Sequence, residues 1–184
     1  LTILDSINNL TDLALQNVGL VNLTPLKNLT GITRLNLDDN NISRIDSLSN
    51  LVNLTYLSLN NNKIRNLTPL SSLLSLSELH LSNNLISDIT PLSDLASLKA
   101  LYLNLNQLDD IMPISSMLSL ETLDISETGI GQLLPLAYLE GLIVLDASEN
   151  NIKSIEPLEN LTKLASLNLA YNVIADVSVL KEAS

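Results

Sequence analysis

The chain has 184 residues, 46% of them apolar but only 2% aromatic, with neither Phe nor Trp and no Cys. A disulfide scaffold is excluded by the missing cysteines, disorder by the aliphatic content, and a transmembrane helix by the lack of about 18 consecutive uncharged apolar residues. A net charge of −11 offers phosphate no basic stripe, which excludes nucleic acid and disfavours anionic membranes as partners.

Proline gives the organisation. The six prolines stand at 25, 69, 91, 113, 135 and 157, so every gap is 22 residues or twice that, and Ser47 fills the vacant place. A partial repeat, 1–6, precedes eight 22-residue units starting at 7, 29, 51, 73, 95, 117, 139 and 161. The whole of 1–184 is read as one repeat domain, expected to be a monomer and to lack terminal caps. Leu4 and Leu180 fall in core columns, and Ile3 in the proline column beside Leu4, so aliphatic rungs are expected at both ends.

Within each unit the elements come in a fixed order. In the unit beginning at Leu51, Leu57 and Leu59 alternate with Tyr56, Ser58 and Asn60. That period of two predicts a short strand with one buried face. The first of these leucines is invariant: Leu13, Leu35, Leu57, Leu79, Leu101, Leu123, Leu145 and Leu167. Equivalent strands are expected to stack as a parallel ladder with a rise of about 4.8 Å per repeat. Next comes an asparagine column, Asn40, Asn62, Asn84, Asn106, Asn150 and Asn172, with Val18 and Thr128 as its exceptions. These amides can satisfy backbone groups where the chain leaves the strand, a structural role. Thr128, between Ser126 and the glycines Gly129 and Gly131, marks the sixth unit as irregular. Finally Ile64, Leu67 and Leu70 recur every three residues, which suits a 3₁₀ turn rather than an α-helix.

Seven apolar columns therefore run through all eight units, and every position holds Leu, Ile, Val, Met or Ala. This is a leucine-rich repeat pattern, LxxLxLxxNxI, at a period within the expected 20–29 residues. The fold class follows: an α/β-type repeat solenoid, with a curved parallel β-sheet on the concave side and 3₁₀ turns on the convex side.

Concave positions flank the buried leucines. One column reads Asp12, Arg34, Tyr56, Glu78, Ala100, Thr122, Val144, Ser166; the next reads Ala14, Asn36, Ser58, His80, Tyr102, Asp124, Asp146, Asn168. Tyr56, Glu78, His80 and Tyr102 gather at the centre, with Leu85 and Leu105 at the strand ends. Aromatic anchors of this kind dominate interface energetics. Three of the four tyrosines (Tyr56, Tyr102 and Tyr171) project from concave positions. The candidate partner-binding set is Arg34, Asn36, Tyr56, Ser58, Glu78, His80, Tyr102, Leu105, Asp124, Glu127, Asp146, Glu149 and Tyr171.

Charge is uneven along the solenoid. Residues 1–92 carry 5 basic and 7 acidic side chains, whereas residues 93–184 carry 4 and 13. Asp124 and Asp146 are neighbours in one column and Glu127 and Glu149 in another. These four can face a basic protein surface, remain a solvated acidic face, or hold Ca²⁺, which takes 6–8 oxygen ligands. No metal or other cofactor is expected.

Glu78, His80 and Ser82 share one face of a strand and raise a hydrolase reading. Alternate strand residues lie about 6.5–7 Å apart, beyond the 2.6–3.2 Å that a nucleophile and its base require. No enzymatic activity is expected.

The unit L-T-x-L-x-x-L-x-L-x-x-N-x-I-x-x-I-x-P-L, as in Asn83 to Leu95, resembles the bacterial internalin-like family of leucine-rich repeat proteins. The resemblance spans essentially the whole chain. It implies a secreted or wall-attached bacterial protein that binds a host or cell-surface protein on its concave face. That family's helical cap and immunoglobulin-like domain have no counterpart in these 184 residues. Leucine-rich regulators of protein phosphatases share the 22-residue unit but usually lack its proline. An intracellular scaffold or regulatory subunit, docking an enzyme on the same face, is the alternative.

Overall fold

The computed structural model describes residues 9–182. Ile3, Leu4 and the partial repeat 1–6 lie outside them. Eight three-residue strands, β1 (Asp12–Ala14), β2 (Arg34–Asn36), β3 (Tyr56–Ser58), β4 (Glu78–His80), β5 (Ala100–Tyr102), β6 (Thr122–Asp124), β7 (Val144–Asp146) and β8 (Ser166–Asn168), form one parallel sheet in chain order. The register advances one repeat per strand, so Leu35 pairs with Leu57 and Leu57 with Leu79. Sequence columns therefore become rows across the sheet, and the sheet is open and curved.

The leucines of β2 to β7 are fully buried, as are Leu37, Leu59, Leu81 and Leu103 beside them. Leu13 and Leu167 of the edge strands, each paired on one side only, are merely partly buried. Leu180 is exposed. An aliphatic core without Phe or Trp works here because each rung needs only one layer of leucine between strand and turn.

The asparagine ladder supplies polar continuity beside that core. Asn62 accepts the Ile42 N–H of the preceding repeat at 3.0 Å and donates to the Leu37 and Leu59 carbonyls at 3.0 and 3.1 Å. Asn84 and Asn106 repeat the pattern. At Thr128 the ladder changes form. Its hydroxyl donates to the Ile125 carbonyl at 2.7 Å, and its own carbonyl, 3.1 Å away, accepts the Leu108 N–H. Gly129 follows at φ +82°, where a Cβ would meet the Gln107 amide nitrogen at 2.5 Å. The sixth unit needs glycine at that point.

Convex turns are 3₁₀, each closed by an i to i+3 bond such as Leu70 N–H to Leu67 carbonyl at 2.8 Å. The turn Asp46–Leu48 has the same geometry without proline, with Leu48 bonded to Ile45 at 2.9 Å. The Ser47 N–H donates no backbone bond among the described residues. Ser47→Pro is therefore expected to stabilise the domain by about 0.4–1 kcal/mol, by restricting the unfolded chain. Denaturant titration checks this, and a lower midpoint would show that this turn differs from its neighbours.

Candidate protein-binding face

The register places Tyr56, His80 and Tyr102 on three successive strands, and their rings form a ladder. The Tyr56 and His80 centroids lie 5.4 Å apart and tilted by 49°; those of His80 and Tyr102 lie 4.4 Å apart at 10°, stacked. The Arg34 guanidinium caps the row 4.1 Å from the Tyr56 ring centroid. Arg34 also lies 3.6 Å from Asp12, an exposed pair of little energetic weight. Parallel pairing makes this possible, because strand spacing close to 4.8 Å brings side chains in one row to stacking distance.

Glu78 fixes the imidazole in the middle. His80 Nε2 lies 2.7 Å from Glu78 Oε1, so the ring N–H donates to the carboxylate. The spacing argument against such a contact is corrected here. Backbone separation does not bound the reach of a glutamate lying along the strand towards its neighbour. The hydrolase arrangement is still not assembled, since the Ser82 hydroxyl donates to the Asn104 amide oxygen rather than to His80.

Beyond Tyr102 the row turns acidic. Asp124 pairs in register with Asp146. Burial pushes the Asp124 carboxyl above its ordinary range and the charge of Asp146 adds to this, outweighing the hydrogen bonds from the Ser126 N–H and hydroxyl. Asp146 is also partly desolvated, yet the Ser148 hydroxyl and N–H and the Asn168 amide together hold it below its ordinary value. The Tyr102 phenol is raised by burial, then by the charges of Glu78 and Asp124. This end of the row is electronegative, with no basic group in an ion pair with either aspartate among the described residues.

A raised carboxyl is worth most to stability while protonated. Asp124 therefore favours the fold below the ordinary aspartate range and loses that contribution as pH rises through its elevated value. Asp124→Asn, whose amide oxygen can still accept the Ser126 bonds, is expected to raise Tm at pH 7 with the gain disappearing near pH 3. A gain that persists unchanged at pH 3 would assign it to something other than ionisation.

The remaining candidates divide clearly. Leu105, Glu127, Glu149 and Tyr171 are exposed and all four have positive φ, 52–58°. They occupy the turn after the strand where other repeats place Asn or Asp, residues that tolerate this conformation best. Asn36 is half-buried, its amide oxygen accepting the Asp38 N–H at 2.9 Å. Ser58 is corrected as a surface contact. It is only 1% exposed and gives its hydroxyl to Asp38 at 2.6 Å. Asp38, which also accepts the Asn60 N–H at 2.6 Å, is the residue missed; its signal was an acid following a strand whose next neighbour is a serine. Among the described residues no group of three or more His, Asp and Glu could hold a metal ion.

The sequence model of leucine-rich repeats (two copies) matches residues 30–72, 74–116 and 140–182. The stretch between the last two matches contains the irregular Thr128, Gly129 and Gly131. Internalin C2 of Listeria monocytogenes superposes with a TM-score of 0.93 at 36% identity, over 100% of this chain and 80% of that one. The chain belongs to the internalin-like leucine-rich repeat family. Internalin InlF of the same species superposes at 0.84 with 32% identity, over 98% of this chain and 60% of that one. The functional domain of InlJ, also from Listeria monocytogenes, matches at 0.70 and 27% identity, over 96% and 43%. That domain includes a cysteine ladder, whereas this internalin-like chain has no cysteine. The chain thus spans less than two thirds of the InlF structure and less than half of the InlJ one. No curated protein sequence matches it. Members of the family serve as protein-binding modules, and no helix among the described residues is long and apolar enough to cross a membrane.

Proposed function

We propose that this domain is a non-enzymatic module of a bacterial surface or secreted protein, binding a host or cell-surface protein through its concave sheet. The row Arg34, Tyr56, His80, Tyr102 carries the reading. It offers rigid, half-buried aromatic surface, orders its side chains before binding, and so lowers the entropy that association must overcome. The acidic continuation, Asp124 and Asp146 on the strands with Glu127 and Glu149 beyond them, favours a partner with a basic surface.

Capture from host-cell surface extracts, identification by mass spectrometry and kinetic titration of the captured protein form the test. Replacing the four carboxylates by amides is expected to slow association more than it speeds dissociation. Binding should also weaken with salt, since exposed charges are screened beyond about 8 Å at physiological ionic strength. An affinity indifferent to both changes removes the acidic half from the interface.

A further inference from the structure

At several places consecutive repeats are separated by a groove beside the convex turns. Two such grooves have mixed walls, with Arg44 and Asp46 beside Val21 and Leu23 in one and Lys153 and Glu156 beside Ile155 and Val179 in the other. Between the fifth and sixth units the groove is apolar. There Met112, Ile111, Ile130, Leu134 and Pro135 line a groove of about 350 Å³, and Gly131 adds no side chain to its wall. Met112 and Leu134 are 56% and 65% exposed.

The column arithmetic shows that this is a departure rather than a feature of the repeat. The position of Met112 and Leu134 holds Thr24, Asp46, Thr68, Thr90, Glu156 or Ser178 in the other six units from Leu23 onward. Nothing in the fold needs an aliphatic side chain there, because it begins the 3₁₀ turn and faces solvent. Two exposed aliphatics on adjacent rungs, beside the irregular turn at Thr128, form a continuous apolar surface, and such surfaces mark interaction sites. Asp109 and Asp110 stand on the same rim. Neither is in an ion pair among the described residues. Asp110 is oriented by accepting the Met112 N–H at 2.7 Å on one oxygen, leaving the other for a cation.

We propose that this groove is a second docking site, for an extended protein segment that inserts a bulky apolar side chain and lays a Lys or Arg against Asp109 and Asp110. The volume lies at the lower end of the range for ligand pockets, about 300–1,000 Å³, and suits one or two side chains rather than a whole domain. A second copy of this chain is disfavoured, because it brings the same net charge of −11 to an acidic rim. The site is separate from the aromatic row, so the two can be occupied together.

Backbone amide NMR of the intact chain, titrated with three capped hexapeptides, tests this. The peptides are Lys-Lys-Leu-Leu-Lys-Lys, its Glu-flanked counterpart, and Lys-Lys-Ser-Ser-Lys-Lys. The first is expected to shift amides around Met112, Gly129, Gly131 and Leu134 and to bind at least tenfold more tightly than either of the others. Met112→Thr with Leu134→Thr, which restores a residue that other repeats hold in this column, should abolish those shifts, whereas Tyr56→Ala with Tyr102→Ala should leave them. Should the threonine variant fail to fold, the peptide ranking on the unaltered chain decides alone. Equal binding of the serine peptide reduces the site to bare charge and overturns the proposal, and equal binding of the Glu-flanked peptide removes the cation from it. Shifts confined to β3–β7, or a concentration-dependent dimer that the threonine variant dissociates, would also overturn it.

Discussion

Replacing Tyr56 and Tyr102 together by alanine is expected to weaken partner binding by about a thousandfold. An aromatic anchor at an interface centre is commonly worth 2 kcal/mol or more, and each 1.4 kcal/mol is a factor of ten. The stack adds a consequence that two isolated tyrosines would not have. Each ring touches His80, and Tyr56 also carries the Arg34 guanidinium. The double variant should therefore lose about 1–2 kcal/mol of stability as well, from stacking and cation–π contacts. Melting curves recorded beside the titrations separate the two effects. Tyr56→Phe with Tyr102→Phe keeps the ladder and removes only the hydroxyls, so it should retain the fold and most of the affinity. Tyr138 provides the control. It is exposed on the convex side, and its replacement by alanine should leave concave binding unchanged. A loss at Tyr138 with none at the concave pair would move the functional surface to the other side of the solenoid.

The sequence disclosed the ladder's positions but not its contacts. Period and column assignment need only the spacing of leucines, and a strict repeat converts sequence distance into rung number, so Tyr56, His80 and Tyr102 fall on neighbouring strands by counting. Whether neighbours stack, bond or bury one another depends on rotamers, which counting does not fix. Ser58 illustrates this: its column predicts a concave surface, yet Asp38 of the previous repeat covers it and accepts its hydroxyl hydrogen bond. Glu78 reaching His80 is the opposite case, a contact that backbone spacing alone argues against. The groove beside Met112 was legible in principle, as two aliphatics in a column otherwise of Thr, Asp, Glu and Ser. It stays hidden when only the concave columns are tabulated, because in a leucine-rich sequence two more apolar residues read as core.

The largest stability effect is expected from the ladder beneath the site. Asn84 is buried and donates to the Leu59 and Leu81 carbonyls at 2.9 and 3.0 Å, while its amide oxygen accepts the Ile64 N–H at 3.0 Å. Alanine at 84 strands the buried Ile64 N–H and removes one of the two amide donors on each carbonyl, leaving Asn62 on Leu59 and Asn106 on Leu81. A buried group left unsatisfied costs about 1–3 kcal/mol, so Asn84→Ala should lower stability by about 3 kcal/mol. Asn84→Asp should fare no better. A carboxylate can still accept from Ile64, but it buries a negative oxygen against the oxygens of two carbonyls. Asn84→Thr should recover part of the loss, as Thr128 does with its bond to the Ile125 carbonyl. Recovery stays incomplete, because the hydroxyl serves one carbonyl and position 84 lacks the glycine that lets the chain readjust after Thr128. Asn172, partly buried at the edge strand where water can replace lost partners, should lose only about 1 kcal/mol on the same change to alanine. Chemical denaturation of the four variants, with m-values checked for two-state behaviour, gives the order directly. If Asn84→Ala costs no more than Asn172→Ala, the interior ladder does not hold the repeats together, and the leucine rungs alone must do so.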